Sequence, residues 1–241
     1  MENKPLHTLH QACGLPLHER LAKVKTLSSE EEWVQGLLLG DEWANYLTHG
    51  LGLILSFIGL YILIITPMQN GDHWKMLNLA VYGISLILLY AASTIYHAAR
   101  SPKVKRVFRT IDHCAIYLLI AGSYTPFTML ILEGFWGWTL FTIVWGLAFT
   151  GIAFKVFFRH RFKLLSTVIY LLMGWLVIIA AEPLMDSLHI EGLYWLIAGG
   201  LSYTAGVIFY ALDKRRFYHA IWHLFVLSGS VCHYFAVLFY I

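Results

Sequence analysis

Phe217-Tyr218-His219-Ala220-Ile221-Trp222-His223 opens a run that stays apolar to Ile241, and the fold class follows from reading this one stretch. At about 1.5 Å of helical rise per residue it is long enough to cross the roughly 30 Å hydrocarbon core of a bilayer. Histidines at positions i and i+4 of a helix lie on one face, a turn apart, where both imidazoles can ligate a single metal ion. The stretch predicts a membrane-spanning helix with a ligand pair just inside one end, and that pair needs a third ligand from elsewhere.

The rest of the chain prefers the same solvent. Hydrophobic residues make up 59% of it and charged residues 13%, with a mean hydropathy of +0.65. A soluble domain carries about a quarter charged residues, so the composition predicts an integral membrane protein. Alternating segments of the kind that build a β-barrel are absent from the sequence, which leaves an all-α fold. The apolar segments are Trp43 to Thr66, Leu77 to Ala99, Arg109 to Leu132, Phe135 to Phe158, Leu164 to Ala181, Gly192 to Leu212 and Phe217 to Ile241. Each is close to the roughly 17–25 residues a spanning helix needs. Short connections make successive helices antiparallel neighbours, so residues 43–241 read as one seven-transmembrane-helix bundle. Residues 1–42 read as a polar tail, in which Ser28-Ser29-Glu30-Glu31 predicts the start of a short surface helix with Trp33 on the membrane or the bundle. Cys13, Cys114 and Cys232 are scattered and odd in number, as packing residues are and disulfide or metal clusters are not.

Of the 17 lysines and arginines, all but Lys75 fall in the tail or in the second, fourth and sixth connections. Basic residues concentrate on the cytoplasmic side, which predicts a cytoplasmic amino terminus and a carboxyl terminus outside. Topology accounts for these basic loops, and no nucleic-acid partner is implied.

Orientation converts sequence position into depth. Ser93 and His97 fall near the cytoplasmic end of the second span, Asp112 and His113 near that of the third, and His219 and His223 near that of the seventh. His49, with Glu42 and Asn45 on the same face, begins the first span at the same level. A third imidazole from His97 completes a three-histidine set, and three protein nitrogens with one open position is the pattern of catalytic zinc. In such a site Asp112 would act as general base for a water, and Ser93 would hydrogen-bond an oxyanion or hold that water. His49 and His113 fit interhelical hydrogen bonding equally well. His233, about 15 Å further along the helix than His223, is too deep for the same metal and reads as interhelical. Trp74, Trp136, Trp138 and Trp195 suit an outer interface belt, and Pro126 and Pro183 predict bends or ends in the third and fifth helices.

Four motifs in combination resemble the haemolysin III family, the bacterial branch of the progestin and adipoQ receptor superfamily. They are Glu42-Trp43-Ala44-Asn45 leading to Thr48-His49-Gly50, then Ser93-Thr94-Ile95-Tyr96-His97, then Asp112-His113-Cys114 running on to Tyr124-Thr125-Pro126, and finally His219-Ala220-Ile221-Trp222-His223. The resemblance covers all seven predicted helices. It implies Zn2+ held by His97, His219 and His223, with Ser93 and Asp112 beside them. Through the alkaline ceramidases of the wider group it implies hydrolysis of amide bonds in membrane lipids. A bacterial cytoplasmic (inner) membrane location and a role in membrane lipid homeostasis are implied as well. Three functions are therefore expected in descending order. The first is a zinc-dependent hydrolase of a lipid amide or ester, with a ceramide-like lipid or phospholipid as substrate. The second is a non-enzymatic lipid or membrane-state sensor with structural zinc. The third is a haemolysin-like lytic or pore protein, which would need a polar helix face running through the full bilayer, and the sequence has none.

Overall fold

Long helix-forming runs, apolar from residue 43 onward, make the elements, as a computed structural model shows for residues 17–132, 134–158, 162–213 and 215–241, with side chains described from residue 40. The side chains of Lys4, Cys13, Arg20, Lys23, Lys25, Ser28, Trp33, Arg159, Arg161 and Lys214 lie outside the described residues. Among the described residues every regular element is helical: α1 (Leu17–Gln69), α2 (His73–Ala98), α3 (Pro102–Leu130), α4 (Gly134–Phe158), α5 (Lys163–Gly174), a 3-10 stretch (Leu176–Ala180), α6 (Ala181–Ser187), α7 (Ile190–Ala211) and α8 (Tyr218–Tyr240). The chain divides into two compact units, Met1–Asp41 and Glu42–Ile241, and the second holds α2 to α8 and most of α1. The helix start expected at Ser28 is not there, because α1 is already helical from Leu17. No proline falls between Pro16 and Pro67, so nothing forces a break at Ser28.

Among the described residues six segments are long and apolar enough to cross a membrane: Gly40–Gln69, His73–Ala98, Gly134–Phe158, Lys163–Ser187, Ile190–Ala211 and Tyr218–Tyr240. The helix missing from that set is α3, and its packing explains why. It lies along both α2 and α4 and also touches α5. Its buried residues include Asp112, Tyr117, Tyr124, Thr125 and Thr128. The threonines find partners inside the bundle: Thr125 Oγ1 donates to the Ala121 carbonyl at 2.9 Å and accepts from Trp145 Nε1 at 3.1 Å, and Thr128 Oγ1 donates to the Tyr124 carbonyl at 3.0 Å. A helix walled in by other helices does not need the all-round apolar surface that lipid demands.

Pro126 is buried inside α3 without ending it. The interruption in the fifth segment lies at Gly174 and Trp175 rather than at Pro183, which sits in the first turn of α6, where its missing N–H costs nothing. Breaking a helix within an apolar medium leaves backbone groups to satisfy. The Tyr124 hydroxyl does this from α3: it lies 2.9 Å from both the Met173 and Gly174 carbonyls and accepts from the Val177 N–H at 2.9 Å.

Small residues let the helices approach closely. A Cβ at Gly52 would fall 2.6 Å from the Tyr90 ring, and one at Gly122 would fall 2.2 Å from Ser85 Oγ. Large apolar side chains face outward around the bundle, Phe157 at 81% exposure and Leu164 at 76% among them, a surface stable against lipid and not against water. Trp74 and Trp138 are exposed as belt residues should be. Trp195 departs from that expectation, because it turns inward against Phe235 with ring centroids 5.4 Å apart.

Candidate metal centre and its cavity

The second-span and last-span histidines converge. His97 lies one residue before the end of α2, and His219 and His223 lie in the first two turns of α8. One ring nitrogen from each of the three falls within 4.8 Å of the others. The ring centroids are 5.1 Å apart for His97 and His219, 5.0 Å for His97 and His223, and 4.6 Å for His219 and His223. Tetrahedral ligation at about 2.0–2.1 Å per bond would bring such nitrogens to roughly 3.4 Å.

The backbone delivers α8 to this position through Phe217, which adopts a left-handed conformation at φ 61° immediately before the helix. That conformation is costly for a residue with a Cβ, and such strain is commonly stored beside functional sites.

Two of the imidazoles are oriented through Nδ1. His97 Nδ1 lies 2.7 Å from Glu42 Oε2, and Lys105 Nζ donates to Glu42 Oε1 at 2.5 Å. His223 Nδ1 lies 3.1 Å from the backbone carbonyl of Asn45 and 3.2 Å from Thr48 Oγ1. A carboxylate or carbonyl at Nδ1 places the proton there and leaves Nε2 as a bare acceptor. Nε2 of His97 is buried without a hydrogen-bond partner in the protein. An orphaned imidazole nitrogen beside two more imidazoles fits a borderline divalent metal ion, so the residues present can hold one.

A cavity of about 290 Å³ opens from this point into the bundle. At the histidine end it is lined by Ser93, Asp112 and His113; further along, Leu119, Trp175 and Val207 make the wall apolar, and it reaches His233. By helix rise His233 is about 15 Å beyond His223. The site and this apolar passage form one space.

The expected residues divide as follows. Ser93 and Asp112 lie beside each other on the cavity wall. His113 lines it too, and its carbonyl accepts from the Tyr170 hydroxyl at 2.9 Å. His49 is outside the convergent set: its ring stacks on His223 at 3.5 Å between centroids and meets Tyr90 edge-on at 5.1 Å. Asn45 acts on His223 through its backbone. His233 is interhelical, with Nε2 donating to the Leu196 carbonyl on α7 at 3.3 Å. Lys105 went unassigned in the sequence because it is one of several cations in a basic connection. Its place above Glu42 depends on how α3 leans toward α1, which no local pattern encodes.

Residues 38–234 match the family described as haemolysin-III related. The chain is 50% identical over 201 residues to "Hemolysin-3" of Bacillus cereus, an alignment covering 83% of this chain and 92% of that one. It is 30% identical over 202 residues to "Monocyte to macrophage differentiation factor" of Homo sapiens, covering 80% and 82%. It is 25% identical over 221 residues to "Adiponectin receptor protein" of Drosophila melanogaster, covering 80% of this chain and 49% of that one.

Proposed function

We propose, for a chain that belongs to the haemolysin-III-related family, that it is a zinc-dependent membrane hydrolase cleaving a lipid amide or ester in the service of membrane lipid homeostasis. The observation that carries this reading is the convergence of three imidazoles on the wall of a cavity that also presents Ser93 and Asp112 and continues into an apolar passage. In this reading the bundle has seven spans, with α3 as the innermost, in the bacterial inner membrane. The amino terminus is cytoplasmic and the carboxyl terminus outside, which sets the histidines at the inner leaflet.

His97, His219 and His223 would hold the metal. When bound, zinc supplies a Lewis acid that polarises a carbonyl and lowers the pKa of water. Asp112 then takes a proton from the attacking water and passes it to the leaving nitrogen or oxygen. Ser93 donates a hydrogen bond to charge developing on the carbonyl oxygen. Glu42 and the Asn45 carbonyl hold two imidazoles in the tautomer that ligates, and the passage toward His233 takes the acyl chain and keeps bulk water out.

The test is to purify the protein in detergent and measure metal content together with fatty-acid release from ceramide-like and phospholipid substrates. One zinc per chain and release from at least one class are expected. Stoichiometric zinc with no release from any class would leave the second reading, a lipid sensor with structural zinc. That reading draws on one observation of its own: the Lys105–Glu42–His97 chain ties α1, α2 and α3 together at the site, as a brace would.

A further inference from the structure

The cavity that begins at the histidines ends at one depth on four helices. Its last lining residues are Tyr124 on α3, Trp175 just after α5, Gly200 on α7 and His233 on α8. Tyr124 is twelve positions beyond Asp112, Gly200 ten before Tyr210 and His233 ten beyond His223, all of them cavity residues. At about 1.5 Å of rise per residue these intervals are roughly 15–18 Å. Contacts join the four into a continuous layer. The Tyr124 hydroxyl lies 2.9 Å from the Gly174 carbonyl, next to Trp175, and Trp175 Nε1 donates to Thr204 Oγ1 on α7 at 3.0 Å. A Cβ at Gly200 would stand 3.5 Å from the Trp175 ring, and one at Gly199 would collide with the His233 ring. Past this layer the chain is packed core, with Ala180, Ala236 and Val237 each at 2% exposure or less.

A closed end at a fixed distance from the histidines limits how long a straight chain can be seated between them. An extended chain advances roughly 1.2 Å per bond, so about 15 Å holds about twelve carbons. A longer chain would have to break the hydrogen bonds that join the layer or force side chains apart in packed core, and a shorter one would leave space unfilled. We infer that the layer of Tyr124, Trp175, Gly200 and His233 is a length gauge, which makes the cavity selective for acyl chains of about twelve carbons. Gly200 and His233 set the limit. The glycine leaves open the space against Trp175 that any side chain would take, and the imidazole fills the place where the chain end would otherwise go on. The inference rests on the lipid-hydrolase reading for the presence of an acyl chain, and it adds a chain length that the histidine site does not specify.

The experiment offers the metal-loaded protein an equimolar mixture of straight-chain saturated fatty acids with even carbon numbers from about 8 to about 18, a range that brackets the expected length. The protein is held in a steroid-type detergent, which has no alkyl chain to compete. After excess acid is removed, mass spectrometry quantifies what the protein retains, relative to micelles without protein. Retention should peak at about 12 carbons and be at least about fivefold lower at 16 and 18, as overfilling a closed space requires. Gly200→Val should move the peak about two carbons shorter and His233→Ala about two carbons longer, with metal content unchanged in both. A peak at 16 or 18 carbons, retention that is flat or rises throughout, retention of none of the acids, or a peak that neither substitution moves overturns the inference. A free fatty acid is the product of cleaving either an amide or an ester, so the assay needs no turnover. Absence of fatty-acid release from lipid substrates would therefore sink the hydrolase reading and leave an observed peak in place, whereas release without a peak would sink the gauge alone.

Discussion

His97 Nδ1 lies 2.7 Å from Glu42 Oε2, and this contact between residues 55 positions apart determines which nitrogen of His97 is left to ligate. Lys105 balances the carboxylate from its other side, so Glu42 accepts from His97 without standing as an uncompensated charge in a half-buried place.

Removing the orienting partner should loosen the metal. Glu42→Ala is expected to weaken metal affinity by about 10–100-fold, the usual cost of losing a group that orients a ligating histidine. Glu42→Gln should cost less, because its amide oxygen still accepts, and Lys105→Met least of all. Competition with a chromogenic chelator measures all three.

The ligands themselves should be all-or-none. His97→Ala, His219→Ala or His223→Ala should each leave the purified protein without stoichiometric metal, while His49→Ala, outside the convergent set, should keep it. Protons compete with the metal for the same nitrogens, so occupancy should be full at neutral pH and fall as pH is lowered, never the reverse. Chelation should lower the melting temperature, since metal at 100 times its Kd contributes about 2.7 kcal/mol to the folded state.

Asp112→Asn separates catalyst from brace. If Asp112 moves the proton, fatty-acid release should fall by about 10²–10⁴-fold with metal content and melting temperature preserved. A site that only braces helices should show no change in any functional readout.

The α2–α3 interface should not tolerate a methyl group at Gly122. A Cβ there falls 2.2 Å from Ser85 Oγ and 2.6 Å from Ser85 Cβ, so the helices must separate, at about 1–3 kcal/mol. Gly146→Ala is the control: nothing lies within 4 Å of its Cβ position, so thermal unfolding should be unchanged or slightly later.

Orientation can be read with thiols. In a chain with Cys13, Cys114 and Cys232 replaced by alanine, Asn70→Cys should react with a membrane-impermeant maleimide on intact cells. Ser101→Cys should react only after permeabilisation. Labelling in the opposite order would invert the proposed topology.

Much of the site was legible because depth follows from sequence once helices run straight across a membrane. His97, His219 and His223 share a depth for that reason, and the i, i+4 spacing of the last two already put them on one face. The same logic correctly set His233 apart. It left His49 open, because depth and face do not say whether a ring points at a neighbour's nitrogen or lies flat on its π face, and here it stacks on His223. It missed Lys105 and misjudged where the fifth helix breaks. A proline is visible in sequence, whereas the Tyr124 hydroxyl that stabilises the break at Gly174 comes from a different helix.

Apolar length and the period of the polar residues, both local properties of the chain, determined by themselves that this protein is a set of membrane helices with histidines at one level. Tertiary structure alone decided that α3 is interior, that Glu42 and Lys105 orient His97, and that His49 stacks on His223. Those outcomes depend on how helices rotate about their own axes when they pack, and rotation is set by the fit of side chains from distant segments, which periodicity within any one segment does not contain.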